Sequence, residues 1–378
     1  IAIFTGSVFE NKNEKGMAHL LEHILFKGNK FIKNSKILNN KFNKMGVNIN
    51  AFTSYYYTVY HVNTLNKYAN EVIRMLFQMV FSPLITKKSF ETEKKIVVNE
   101  LIERNSDQDS YTFINSCRTI FPEENPLHYP IGGEIDIINK IDRKDLINFH
   151  KRYYNIDNAL FFSHSYLKKK EIDKFINNSK RYVTLSSNKT TKSIELLKSM
   201  KNKLELINKD VKNITSFKKM FPSIPSRFIL ITYFMKQPLT IKEELSLEIF
   251  QNFLANNMSS LLFRRLREKE KLIYSVIADD SNYYSFYGFE IFFNVKNKSA
   301  DVNKSIKIIN EYIKKYSNNS IPIEEFKKFK KNLEINMKRD YNDGGVILSD
   351  VLDNYFFKNV KNVKNLYNEK FKVIKTIK

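Results

Sequence analysis

His19 and His23 stand four residues apart, with Glu22 beside the second, in the stretch His19-Leu20-Leu21-Glu22-His23. On an α-helix, residues four apart lie one above the other, so both imidazoles can point at one ion. A catalytic zinc takes three protein ligands and keeps a fourth position for water. Coordination draws the pKa of such a water toward neutrality, and a carboxylate in reach can take its proton and hand it to a leaving amine. His19 and His23 are therefore candidate ligands and Glu22 the candidate proton carrier. A hydrogen-bonded polar patch fits the same five residues. The flanks weigh against it: Met17, Ala18, Leu20, Leu21, Ile24 and Leu25 cover most of the helix with apolar surface. Three half-buried ionisable groups are costly there unless something pairs them, and a metal pairs all three.

The order H-x-x-E-H reverses H-E-x-x-H and is the signature of the inverzincins, which hydrolyse peptides with metal assistance. A third ligand has to come from another element, and Glu100, in Ile96-Val97-Val98-Asn99-Glu100-Leu101-Ile102-Glu103, is the best candidate. Here the sequence resembles the pitrilysin-type, or M16, metallopeptidases: pitrilysin, insulin-degrading enzyme and the mitochondrial processing peptidase. In that family H-x-x-E-H is followed at a similar interval by a helix reading roughly E-x-x-x-V-x-x-E, matched here by Glu93, Val97 and Glu100. The resemblance implies Glu100 as the third ligand and Glu93 as a support of the metal site that aids catalysis. Taken alone, the two glutamates would also fit a solvated charge stripe.

The elements that must position these residues follow from pattern and punctuation. Ile1 to Phe4 is strand-like and leads through Gly6-Ser7-Val8-Phe9-Glu10, similar to the family's G-S-x-x-E, into the motif helix, which Gly28 follows as a breaker. Asn34 to Met45 is expected to be helical. Gly46 to Thr53 and Ser54 to Val62 read as strands, the latter rich in Tyr, Thr and Val. The family's similar G-G-x-x-N-A-x-T lies on an exposed edge strand that pairs with extended substrate, which implies Asn50, Ala51 and Phe52 as substrate-binding residues by β-augmentation. From the residues alone a core strand is the expectation. Leu65 to Phe81 and Lys87 to Arg104 carry helical periodicity, the second holding Glu93 and Glu100. Pro126 to Gly133 is turn-rich and resembles H-P-L-G-x-P-x-x-G, so His128 is not expected to be a ligand. A helix opening near Asp142 or Asp145, Tyr154-Asn155-Ile156-Asp157-Asn158-Ala159, and a strand at Leu160 to Ser163 resemble the close of a family domain. His61, His150 and His164 are read as structural.

From Lys180 to Lys219 the chain is rich in Ser, Thr, Asn and Lys, a linker with a short helix around Ile194 to Leu206. Proline turns at Pro222 and Pro225 precede a strand at Arg227 to Met235, and a helix spans Glu243 to Ala255. Met258 to Glu268 and Leu272 to Val276 are similar to the family's S-S-R-L-F-x-x-L-R-E-x-x-G-L-A-Y-S-V. The resemblance implies that Arg267 and Tyr274 act on substrate from the second domain, the guanidinium anchoring a carbonyl and the phenol stabilising the oxyanion. Strands over Tyr283 to Lys296 and helices at Ala300 to Tyr316 and Glu324 to Asp340 follow. Several positions depart from the family pattern: Val8 for an arginine, Val47 for a glycine, Ala255-Asn256-Asn257 for a Gly-rich loop, Ile273 for alanine, and no glycine before Leu272.

Composition bounds the rest. With 378 residues, 42% hydrophobic and 27% charged, the chain is that of a globular protein with room for two domains. No run of eighteen apolar residues occurs, so no transmembrane segment is expected. The formal charge of +23 would suit nucleic acid, but the lysines are dispersed and Asn, Ile, Phe and Tyr are similarly enriched, so no nucleic-acid partner is expected. The single Cys117 excludes an intramolecular disulfide and is compatible with a reducing compartment. The chain opens on Ile1-Ala2-Ile3-Phe4 without Met and stops at Lys378, and both ends read as incomplete, so targeting information is not visible.

The expected fold is α+β: two similar domains, each a mostly antiparallel β-sheet packed with α-helices, facing across a substrate cavity. The expected limits are 1–185 for a catalytic domain, 186–221 for a linker and 222–378 for a second domain. The expected function is a zinc endopeptidase acting on extended or unfolded peptides, with one Zn2+ per chain. The length resembles the processing-peptidase branch, which implies a homodimer or a heterodimer with a related subunit. A non-catalytic subunit that binds peptide or scaffolds a complex is the alternative.

Overall fold

The computed structural model describes residues 1–183, 226–236, 239–282, 286–296, 298–358 and 363–378. The expected linker, its helix around Ile194 to Leu206 and the turns at Pro222 and Pro225 lie outside the described residues. The chain divides into two compact units, Ile1–Phe217 and Lys218–Lys378.

In the first unit four antiparallel strands run in the order β2-β3-β1-β4, with β1 Ala2–Ile3, β2 Asn48–Thr53, β3 Thr58–Asn63 and β4 Ala159–Leu160. Among the described residues β2 is therefore an edge, paired with β3 in a register that sets Asn50 opposite His61 and Thr53 opposite Thr58. Its residues alternate between exposed and half-buried, so Ile49, Ala51 and Thr53 share one face while Asn48, Asn50 and Phe52 take the other. The fourth strand ends at Leu160, shorter than expected; Asn158 ties its start to the segment just after β1 by donating to Thr5 Oγ1 and Phe4 O, and to Tyr153 O.

Helix α1, Met17–Leu25, packs on this sheet through residues that are almost fully buried: Met17, Leu20, Leu21, Ile24 and Leu25. Helices α2 Ser35–Lys44, α3 Ala69–Phe81 and α4 Lys87–Ser106 follow the expected pattern to within a few residues. Thr86 caps α4 by accepting from Ser89 N. The α4 face that meets α1 is a stripe of Phe90, Glu93, Val97 and Leu101, all buried, so a carboxylate is carried into the core with its apolar neighbours. Helix α5, Gln108–Ile120, was not expected. It buries Asn115, Ser116 and Cys117 with Ile120, and so lacks the apolar stripe by which a helix is recognised. The first unit continues with α6 Ile135–Lys140, α7 Arg143–Tyr153 and α8 Lys169–Ser179. Asp142 caps α7 by accepting from Asp145 N at 2.9 Å.

The second unit has three antiparallel strands in the order β5-β7-β6, with β5 Ser226–Lys236, β6 Ile273–Asn282 and β7 Phe286–Lys296. Its core joins Leu262, Leu266, Val276, Ala278, Ile291 and Phe293 to Ile308 and Ile309 of the helix Ser299–Ser317. A second cluster packs Leu245, Ile249 and Phe253 of the helix Ile241–Leu254 on Phe329 and Leu333 of the helix Ile323–Asp340. Helices Gly344–Lys358 and Val363–Thr376 follow; neither was expected from the sequence. No helix among the described residues is long and apolar enough to cross a membrane.

Candidate metal centre

The start of α1 is fixed by a buried carboxylate. Glu10 accepts from Gly16 N at 2.9 Å and from Ala18 N at 2.7 Å, filling donors that the first helical turn leaves unpaired. Gly16 has φ of 94°, and a Cβ there would meet Gly132 O at 2.4 Å, so the chain can enter the helix at this point only through glycine. Burial pushes the Glu10 carboxyl up to about 8, against the two backbone donors and Lys15, which favour its charge.

From this fixed start His19 and His23 project on one side of α1, and Glu100 of α4 meets them. His19 Nε2 lies 3.2 Å from His23 Nε2 and 3.7 Å from Glu100 Oε2, and His23 Nε2 lies 3.4 Å from the same oxygen. Zinc at about 2.0–2.2 Å from nitrogen and oxygen ligands in tetrahedral array sets those atoms roughly 3.3 Å apart. The triangle therefore fits one zinc ion, and among the described residues it is the one such group of His, Cys, Asp and Glu side chains.

The surrounding groups shape each candidate ligand. His23 Nδ1 faces Glu93 Oε2 at 3.7 Å, and Lys27 Nζ holds Glu93 Oε1 at 3.0 Å. Arg104 pairs with the other oxygen of Glu100. Burial lowers His19 to about 4, so its ring stays neutral with a lone pair to give. Burial also opposes charge on His23, but its contacts with Glu100 and Glu93 outweigh that and raise it to about 9. The hydrogen bond to His23, with the nearby positive charges of Arg104 and His23, holds Glu100 at about 2. Glu93 is also held below its ordinary range, its contacts with His23 and Lys27 overcoming burial. His19 Nδ1 is buried with no hydrogen-bond partner among the described residues.

Glu22 lies one residue before His23 on α1. Burial raises its carboxyl, opposed by a hydrogen bond from Thr53 Oγ1 at 2.5 Å. Glu22 thus adjoins His23 of the metal-fitting triangle and, through Thr53, the β2 edge, all within one unit. Asn50 turns its Oδ1 onto the Ala51 N–H at 2.9 Å, and Phe52 is 38% exposed on that edge. Thr53, Lys27, Arg104 and Glu10 were not singled out from the sequence as partners of the motif. The remaining histidines lie outside the cluster: His128 Nδ1 meets Phe121 O at 2.9 Å and His150 Nε2 meets Val80 O at 2.9 Å.

In the second unit Arg267 and Tyr274 are brought together. Arg267 Nη1 donates to the Tyr274 carbonyl, and its guanidinium sits 4.3 Å over the Tyr274 ring and 5.2 Å over that of Phe263. The Tyr274 side chain is left largely in solvent, 74% exposed.

Comparison with known proteins supplies the family. The family model described as "Insulinase (Peptidase family M16)" matches residues 1–133, and that described as "Peptidase M16 inactive domain" matches residues 140–333. The chain belongs to peptidase family M16. An uncharacterized zinc protease of Rickettsia bellii is 23% identical over 82% of this chain and 72% of its own. The beta subunit of the mitochondrial-processing peptidase of Bos taurus is 29% identical over 40% of this chain and 31% of its own. A protease from Helicobacter pylori superposes with a TM-score of 0.79 at 18% identity, over 98% of this chain and 86% of that one. The "peptidase M16 inactive domain" structure from Pseudomonas fluorescens gives a TM-score of 0.77 at 13% identity, over 100% and 84%. These likenesses establish the two-domain M16 fold of helices with antiparallel sheets.

Two departures from the M16 pattern acquire a physical meaning. Lys271 stands where the motif has glycine before Leu272, and it has φ of 55°, a left-handed backbone held by a residue with a Cβ. Asn256, in place of part of the Gly-rich loop, donates to Ala278 O at 2.6 Å and accepts from Ala278 N at 2.7 Å, which ties the loop to β6.

Proposed function

We propose that this M16 chain is a zinc-dependent endopeptidase that cleaves extended or unfolded peptides, presequences among them. The observation that carries the reading is the His19, His23 and Glu100 triangle, dimensioned for one zinc ion, with Glu22 beside it. In this reading His19, His23 and Glu100 hold one Zn2+ per chain. The ion would supply Lewis acidity toward a water and the attacked carbonyl. Glu22 takes a proton from that water and passes it to the departing amine. Glu93, braced by Lys27, orients His23 and sustains its electron donation. The β2 edge at Asn50, Ala51 and Phe52 offers main-chain groups to an extended peptide, which makes binding tolerant of sequence. Arg267 and Tyr274, stacked on each other with the phenol exposed, are proposed as substrate contacts of the second domain. The proposed domain limits are 1–185 and 222–378, joined by 186–221.

The names of the relatives support the class: zinc protease in Rickettsia bellii and a processing-peptidase subunit in Bos taurus. The word "subunit" in the second name motivates a further part of the proposal, that this chain works as a homodimer or with a related M16 chain. The description "inactive domain" on the match to residues 140–333 favours a second reading, a non-catalytic peptide-binding or scaffolding subunit. Against it stands the full ligand set in the part matched by the insulinase model. The test is incubation of a mixture of unfolded peptides of about twenty residues with the zinc-loaded full-length chain, the chelated chain and the chelated chain resupplied with zinc. Cleavage that disappears on chelation and returns with zinc is expected. Absence of cleavage by the zinc-loaded chain, alone and with a related subunit added, would favour the non-catalytic reading.

A further inference from the structure

Glu22 has one hydrogen-bond donor among the described residues, the hydroxyl of Thr53, thirty-one positions away in sequence, donating to Oε2 at 2.5 Å. That contact comes from a well-braced place. Thr53 is the last residue of β2 and stands opposite Thr58 across a tight turn. The turn is closed by Ser54 N donating to Tyr57 O at 2.8 Å, with Tyr57 N donating back to Ser54 Oγ at 3.1 Å. The loop after β1 pins it from the other side, through Ser7 N to Ser54 O at 3.3 Å and Val8 N to Tyr55 O at 3.0 Å. A Cβ on Gly6 would meet Ser54 O at 2.3 Å, so a glycine is needed for the two segments to come this close.

We propose that Thr53 is a positioning residue for Glu22: its hydroxyl holds Oε2 and leaves Oε1 for the attacking water, linking the substrate-binding edge to the proton carrier. The inference rests on the reading of Glu22 given above. Thr53 shares its face of β2 with Ala51, whose backbone lies in the proposed peptide-binding stretch. A peptide strand laid along β2 would steady the same strand from which Thr53 reaches Glu22. β-branching restricts the Thr side chain to few χ1 rotamers, which holds Oγ1 in place beside Glu22. A carboxylate that turns freely spends less time in the geometry needed for proton transfer, and misplacement of about 1 Å can cost of order a hundredfold in rate.

The test compares Thr53→Val, which keeps the shape and removes the O–H, with Thr53→Ser, which keeps the O–H. Both are made in the full-length zinc-loaded chain. Thr53→Val is expected to lower kcat by about ten- to a hundredfold with KM within about twofold, while Thr53→Ser stays within about threefold of the parent. Zinc content should be unchanged in both. Crystal structures of the two variants supply a readout independent of activity: the Glu22 carboxylate should be rotated in Thr53→Val and kept in Thr53→Ser. If Thr53→Val does not fold, Thr53→Ala takes its place with the same expectation. A kcat for Thr53→Val within twofold of the parent, an equal loss in Thr53→Ser, or an unmoved carboxylate in Thr53→Val would each overturn the proposal. A zinc-loaded parent that cleaves nothing, alone and with a related subunit added, would sink the peptidase reading, and the carboxylate's position would then decide the Thr53 claim alone.

Discussion

His23 is where the site's chemistry is most sensitive to conditions. Its contacts with Glu100 and Glu93 overcome burial and raise it to about 9, so at pH 7 the imidazole carries a proton that a metal must displace. Zinc uptake at pH 7 should therefore release about one proton, and the apparent affinity should weaken about tenfold per unit as pH falls below 9. Calorimetric titrations in buffers of different ionisation enthalpy measure both; uptake without proton release would show that His23 is neutral beforehand. Lys27 acts on the same residue through Glu93. Lys27→Met should weaken zinc binding by about tenfold, the low end for groups that orient a ligand, measured by competition with a chromogenic chelator. An unchanged affinity would mean that Glu93 holds its place unaided. The motif residues were legible in sequence because i, i+4 spacing is a local property. Lys27, Thr53 and Arg104 were not, because their roles depend on which side chains of distant elements arrive beside them.

At the scale of elements, Lys271 is the clearest case of a local rule broken. It holds a left-handed backbone between the helical turn Phe263–Lys269, with its wider i to i+5 hydrogen bonding, and β6. Relief of that strain, less the entropy that glycine adds to the unfolded chain, makes Lys271→Gly stabilising by about 0.5–1 kcal/mol. Urea denaturation of the two proteins checks this, and a destabilised variant would mean that the lysine side chain earns more than its backbone loses. The sequence marked this position through the missing glycine, but whether the turn changed shape or bore the strain depended on packing around it. Helices α1 and α4 were readable from apolar spacing and flanking breakers or caps. Helix α5 was not, because its buried positions hold Asn115, Ser116 and Cys117 where a pattern reader looks for Leu or Ile. The edge position of β2 was another matter of assembly, since a strand's neighbours are set by the order β2-β3-β1-β4 and not by its own residues.

Across the molecule, two compact units divide the chain as the composition and length allowed, and the M16 family models cover most of it. The first unit carries a pH dependence of its own. His150 of α7 is desolvated to about 4, although the Val80 carbonyl favours its proton, against an ordinary value of 6.5. Between those values the unfolded chain binds a proton that the folded chain refuses, so stability is full above about 6.5 and falls as pH drops toward 4. The loss is at most about 3 kcal/mol. Replacement by Gln at position 150 should flatten this part of the pH–stability curve, read by denaturant unfolding at fixed temperature. An unchanged slope would assign the acid sensitivity to other groups.

The most direct test of the account is Glu22→Gln in the zinc-loaded chain, assayed for bound metal and for peptide cleavage together. In the proposed reading the ligands are His19, His23 and Glu100, so zinc should remain at one ion per chain. Cleavage should fall by about a thousandfold or more, because the amide cannot take the proton. A variant that keeps its activity, or one that loses its zinc along with it, would contradict the division of labour between the metal ligands and Glu22.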